Sequence, residues 1–197
     1  MKLEEIVALP DAQQLDEVNL KKAIAAGALS LSTLLSPSAL DTTSVPHPVV
    51  SRTDLDIAAL SNTILKKYKI SPKLATKVAT LAKKYEHSTF PKAADILAIV
   101  GIESSFIPSS VSKLKKDPAV GLMQVRPKIW GLDRQGLLND LDLQVKSGAD
   151  VLHKYYKVLG SKEDAVHAYN VGLGNFRRGK HNIKYVHKYK NELQSYI

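Results

Sequence analysis

The stretch "ADILAIVGIESSFIPSSVS", residues 94–112, decides how the chain is read. Ile96, Leu97, Ile99, Val100 and Ile102 cover too broad a surface for a helix with one wet face, so the segment reads as a buried central helix. Its start is expected at Pro91, after the turn "HSTF", and its last turn carries Glu103. The Ser/Pro-rich run after Glu103 stops the helix there. A carboxylate in that place is either a solvated helix end or an acid kept half in the core, where loss of water raises its pKa above the usual ~4.3. Ile102 and Phe106 on either side supply apolar surroundings of the second kind.

Outward from this helix the pattern stays helical. In "SPKLATKVATLAKKYE", Ser71 is a cap, Pro72 suits the first helical position, and Leu74, Val78, Leu81, Ala82 and Tyr85 recur at helical spacing. "NDLDLQVKSGADVLHKYYKVLG" gives an amphipathic helix on Leu141, Val145, Ala149, Leu152 and Tyr156, with Gly160 as its stop. Ser161 and Asp164 open "SKEDAVHAYN" in the manner of a capping box, and "IKYVHKYKNELQSYI" forms a last helix. No run alternates long enough to require a sheet, so the expected class is mainly α.

Residues 1–52 differ in character. "LKKAIAAGALSLSTLLSPSAL" places two lysines before an apolar stretch at about 21–35, followed by small residues, as a signal peptide does. Four acidic residues before Glu17 precede Lys21, which a short basic leader does not have, and the apolar stretch falls short of the ~20 residues that span a bilayer. Two readings stand: an uncleaved packed or partner-binding helix, and a processed or membrane segment. Pro37, Pro46 and Pro48 turn the Ser/Thr-rich residues after the apolar stretch into a linker. The expected division is residues 1–52 as an appendage and 53–197 as the main domain.

With 44% hydrophobic and 24% charged residues the 197-residue chain can bury a real core. The absence of cysteine removes disulfides, thiolate metal sites and a cysteine nucleophile. None of the six histidines has HExxH spacing, no GxSxG elbow is present, and "GLGNFRRG" lacks the phosphate-loop lysine, so neither a metal nor another cofactor is expected. A net charge of +9 draws the protein to polyanions: nucleic acid, anionic lipid or an acidic cell wall. Arg177, Arg178, Lys180, Lys184, Lys188 and Lys190 interleave with aromatics, and we read that run as a surface for anionic wall polymers rather than a specific nucleic-acid site.

Three further segments carry sugar-binding groups. "GLMQV", residues 121–125, offers the Gln124 amide beside Met123; "AYNVGLGNF" ends a helix in Tyr169 and Asn170 and is expected to loop through Gly172 and Gly174; "NIKYVHKY" adds Tyr185. Taken in order, "ESSFIPSSVS", "GLMQVRP", "AYNVGLGNFRRG" and "YVHKY" resemble the soluble lytic transglycosylase domain family, the goose-lysozyme-like peptidoglycan enzymes, over about residues 91–190. The resemblance implies a lysozyme-like helical fold with Glu103 as catalytic acid and base. It also implies Ser104, Gln124, Tyr169, Asn170 and Tyr185 as substrate-binding residues, with Met123 as support. Two departures stand out: "VSKLKKDPAV" replaces a shorter glycine-containing linker, and "KHNI" stands where Glu-Thr is often found.

The implied reaction cleaves the β-1,4 bond between N-acetylmuramic acid and N-acetylglucosamine and leaves a 1,6-anhydro end. A hydrolytic muramidase using Asp117 or Asp133 to position water, and a non-catalytic wall-binding module, remain as alternatives. The implied partner is the glycan strand of peptidoglycan. The appendage is read as a contact for phage virion or tail proteins, in a virion-associated enzyme that opens the wall during DNA delivery; a bacterial periplasmic enzyme is the rival setting.

Overall fold

Ser51 opens the first helix with a reciprocal cap: its hydroxyl accepts from Asp54 N at 3.1 Å, while the Asp54 carboxylate accepts from Ser51 N at 3.2 Å. The computed structural model describes residues 51–197; the predicted apolar helix at 21–35 and its linker lie outside these residues. The described residues all belong to one compact unit. Helix α1 runs Arg52–Lys67, α2 Pro72–Lys84, α3 Ala93–Ser104, α4 Pro127–Trp130, α5 Arg134–Asn139, α6 Leu141–Leu159, α7 Lys162–Val171, α8 Leu173–Arg177 and α9 Ile183–Leu193. Among the described residues there is no strand, only two isolated bridges, Val111 to Val120 and Val120 to Val125, so the mainly α, lysozyme-like class holds. No helix among the described residues is long and apolar enough to cross a membrane.

The order of the chain follows from where its apolar residues fall. Helix α3 is apolar on every side, and Ile96, Leu97, Ala98, Ile99 and Val100 are all fully buried. It packs against α9, α2 and α6, which present one apolar stripe each. Helix α2 turns Ala75, Val78, Ala79, Leu81 and Ala82 inward, and α6 turns Val145, Ala149 and Leu152 inward. Burying a large aliphatic side chain stabilises by roughly 1.5–3 kcal/mol, so the α3 row is a main favourable contribution to the core.

Caps set the boundaries. Ser71 accepts from Leu74 N, Ser161 accepts from Asp164 N, and Gly160 ends α6 at φ +73. The start of α3 differs from the expected Pro91. Pro91 belongs to the preceding turn, where its carbonyl accepts from His87 N at 2.7 Å, and the Asp95 carboxylate caps at Lys92 N, so the helix begins at Ala93. Gly174 also departs from expectation. It lies inside the short helix α8, and only Gly172, at φ +82, interrupts the chain between α7 and α8.

Candidate active site

Glu103 leaves the last turn of α3 because the next two residues refuse to continue it. Ser105 and Phe106 both take left-handed conformations, at φ 52 and 62. For residues other than glycine this costs of order 1–3 kcal/mol each, which persists only when packing enforces it. Here Phe106 is fully buried, its ring 4.6 Å from that of Tyr68. The turn therefore drives Phe106 into the core and leaves Glu103 at the rim.

The Glu103 carboxyl is half-buried, and its Oε1 accepts a hydrogen bond from the Tyr185 hydroxyl at 2.5 Å. Burial pushes this carboxyl up from its ordinary pKa, and the Tyr185 hydrogen bond partly opposes that. Tyr185 itself is held well above the ordinary tyrosine value by its own burial and by the nearby Glu103 charge, so it stays a donor. Among the described residues Oε2 of Glu103 has no hydrogen-bond partner. Asp117 Oδ2 is the only side-chain oxygen among them that is sealed from solvent without a hydrogen bond, so Oε2 of Glu103 is not sealed off, and Glu103 lines the open cleft.

Tyr185 is aimed by what stands behind it. Asn182 caps α9, its Oδ1 accepting from Tyr185 N at 3.1 Å, and its Nδ2 donates to Asn170 Oδ1 at 2.7 Å. The Asn182 N–H in turn donates to His167 Nδ1 at 3.2 Å, and burial followed by the neighbouring His181 lowers the His167 pKa, favouring the neutral ring that this bond needs. Asn170 thus steadies the α9 cap from an exposed position at the end of α7.

Across from Glu103, residues 121–125 form the second wall. Gly121, at φ +80, lies so close to Gln144 that an added Cβ would stand 2.5 Å from the Gln144 Cδ. Gln144 is buried in α6 and ties three segments together: its Oε1 accepts from Leu122 N at 2.8 Å, and its Nε2 donates to Pro108 O and Leu138 O, each at 3.2 Å. Met123 is fully buried against Gly148, where any Cβ would meet its sulfur at 2.4 Å. The Tyr169 hydroxyl donates to Met123 O at 2.7 Å, joining the wall to α7. Gln124 takes φ 50, and its Nε2 donates to Ser110 O and Gly121 O at 3.1 and 3.0 Å. Its donors thus hold the loop rather than stand free, and its Oε1 is the atom left for a ligand.

Between the walls is a cleft of about 250 Å³ lined by Glu103, Gln124, Tyr169 and Asn170, with Arg126, Trp130 and Tyr155 beside them. Tyr185 approaches Glu103 from the protein side. Ser104 stands apart from these residues. The resemblance assigns it to substrate, but one residue along a helix turns a side chain by about 100°. It is buried, its hydroxyl donates to Val100 O at 3.2 Å, and it does not line the cleft.

Glu103 is the only carboxylate among the described residues that line the cleft. Asp117 is buried elsewhere, its Oδ1 accepting from Lys128 N, and Asp133 caps α5 by accepting from Gly136 N. A larger, more open hollow of about 480 Å³ lies at Asp56, Lys83 and Glu86. There the Glu86 carboxylate already binds Lys83 at 2.7 Å and Ala93 N at 3.1 Å, so it lacks an uncompensated group.

The family model described as the transglycosylase SLT domain matches residues 80–192, more than half of the chain and all of the residues described around this cleft. The chain belongs to the transglycosylase SLT domain family. Its substrate class is therefore peptidoglycan, cleaved in the general manner of lytic transglycosylases. Comparison with curated proteins and with solved structures found no match. In this SLT domain the sequence motifs lead to Glu103, Gln124, Tyr169, Asn170 and Tyr185, but not to Gln144, Arg126 or Trp130. A lone glutamine in an amphipathic helix reads as a wet position. Arg126 stands inside the quoted motif "GLMQVRP" and Trp130 three residues beyond its proline, and that adjacency was the available signal.

Proposed function

We propose that this SLT domain is a lytic transglycosylase that cuts the β-1,4 bond between N-acetylmuramic acid and N-acetylglucosamine without water. Glu103, protonated, gives its proton through Oε2 to the glycosidic oxygen, and the bond from that oxygen to C1 breaks. The resulting oxocarbenium-like centre is stabilised by the substrate's own acetamido group. As a carboxylate, Glu103 then removes the proton of the muramic acid C6 hydroxyl, whose oxygen closes on C1 to form the 1,6-anhydro ring. One carboxyl serves twice, unlike the paired carboxylates of most glycosidases.

The observation that carries this reading is the single, half-buried carboxylate in the cleft, with its pKa raised by burial and one oxygen left open. The hydrolytic alternative asks Asp117 or Asp133 to position water, and both are engaged in holding backbone outside the cleft. Digestion of purified peptidoglycan by the wild-type chain and by Glu103→Gln, with mass spectrometry of the muropeptides, tests the proposal. Anhydro-muropeptides from the wild type alone are expected; reducing ends, heavier by one water, would refute it in favour of hydrolysis. We extend the proposal to a setting in which a phage virion delivers the enzyme to the wall. Purified virions found by mass spectrometry to lack the chain would refute that part.

A further inference from the structure

Arg126 is the one strongly basic group among the residues lining the cleft. It follows the 121–125 wall directly and is the residue immediately before α4. Its side chain is 44% exposed, while that of its partner Asp117 is only 9% exposed. The Nε end is fixed: it donates to Asp117 O at 3.2 Å and stands 3.3 Å from Asp117 Oδ2 as an ion pair. Asp117 is in turn fixed through Oδ1 by Lys128 N at 3.2 Å. Among the described residues the two terminal nitrogens of Arg126 have no partner. A buried carboxylate therefore holds the guanidinium from behind and leaves the rest of its planar fork to the cleft.

A guanidinium anchored in this way matches a planar oxyanion in two parallel hydrogen bonds, which a lysine ammonium does not. The segment that supplies Asp117 is "VSKLKKDPAV", and its Ser112, Leu114 and Ala119 also line the cleft. Lys113, Lys115 and Lys116 on the same loop bring further positive charge to that rim. The N-acetylated sugars of the glycan are themselves uncharged. The anions close to the scissile bond are the carboxylates of the peptides attached to muramic acid.

We propose that Arg126 is a specificity-determining residue that binds a carboxylate of the peptide side chain carried by the glycan strand. This rests on the transglycosylase reading above. It makes the enzyme one that prefers peptide-bearing strands with free carboxylates, and it gives the lysine-rich loop a purpose: placing Asp117 so that it presents Arg126.

The test compares soluble peptide-bearing glycan strands with the same strands after their carboxylates have been converted to neutral amides. Release of muropeptides is measured for the wild type, Arg126→Lys, Arg126→Gln, and the double variant Asp117→Asn with Arg126→Gln. The double variant removes the charge together with its buried counter-charge, so a folding defect from a lone buried aspartate does not obscure the result. The wild type is expected to prefer the free-carboxylate strands about tenfold, mainly through KM, as the loss of a charged hydrogen bond implies. The double variant loses that preference, and Arg126→Lys keeps part of it. The same preference in wild type and double variant, or none in the wild type, overturns the assignment of Arg126 while the reaction stands. No fragments from either strand with the wild type overturns the transglycosylase reading and this inference together.

Discussion

Replacing Gln144 by methionine should loosen the cleft without touching any residue that meets the substrate. The three hydrogen bonds of Gln144 set the magnitude. Leu122 is fully buried, so its N–H loses a 2.8 Å acceptor with no water to replace it, at about 1–3 kcal/mol. Pro108 and Leu138 are half-buried, and water can reach their carbonyls, so each adds about 0.5–1 kcal/mol. The thioether regains about 1 kcal/mol by putting apolar in place of polar volume. The net expectation is a loss of about 1–4 kcal/mol, read from urea unfolding at neutral pH with an unchanged m-value. Because Leu122 and Gln124 share the wall, kcat/KM on peptidoglycan should also fall about ten- to a hundredfold, the scale of a small misplacement of binding groups. Stability within about 0.5 kcal/mol of the wild type would refute the assignment of Gln144 as the pin of the second wall, since an ordinary surface substitution does no more.

Tyr185→Phe removes the bond that holds the Glu103 pKa down, so the alkaline limb of the pH–activity profile should move to higher pH while kcat falls about tenfold. An alkaline limb that stays in place would contradict this. Gly121→Ala forces a side chain into φ +80 and against Gln144, and calorimetry should show a loss of about 1–3 kcal/mol. His167 has a folded pKa below its ordinary 6.5, so the neutral ring's contribution is complete above that value and is lost as pH falls through the depressed folded value. Burial and His181 drive this shift, Lys190 adds to it, and Glu163 and Asp164 oppose it. The stability gap between wild type and His167→Asn should therefore narrow from about pH 7 to about pH 5; a gap that widens would reverse the sign.

The sequence made the secondary structure visible wherever the deciding interaction is local. Ser71, Ser161 and Gly160 act within one turn of their own positions, and each sets the boundary that it predicts. Helix α3 was legible for a different reason: a helix apolar on all sides has nowhere to be but the centre. The misreadings are failures of the same local logic. Pro91 is a good first helical residue by its own φ, but Asp95 captures Lys92 N and shifts the start. Gly174 looks like a loop residue, and it is helical because Gly172 alone takes the sharp turn. Gln144 could not be found at all from its neighbours, since its three partners lie 22, 36 and 6 residues away. Ser104, next to Glu103 in the motif, is turned away from the cleft because a helix sends adjacent side chains to different faces.

In the proposed reaction Glu103 acts first as an acid and then as a base, so it has to keep its place through a change of charge, and the Tyr185 contact bears on that requirement. Tyr185 remains a donor, because burial and the adjacent carboxylate hold its proton on. Glu103 Oε1 is therefore an acceptor whether Glu103 is charged or neutral, and the proton that comes and goes must reside on Oε2. That is the oxygen without a partner among the described residues and the one open to the cleft. The two influences on Glu103 then act on different halves of the cycle. Burial favours the protonated form that begins it, while the Tyr185 bond favours the carboxylate that must accept the C6 proton. Burial is the larger of the two, so the pKa stays raised toward neutrality and the free energies of the two forms near neutral pH are drawn together, which is the condition for fast transfer in both directions. Asn182 and Asn170 fix Tyr185 from behind, so the position of this donor does not depend on the charge of the acid it serves.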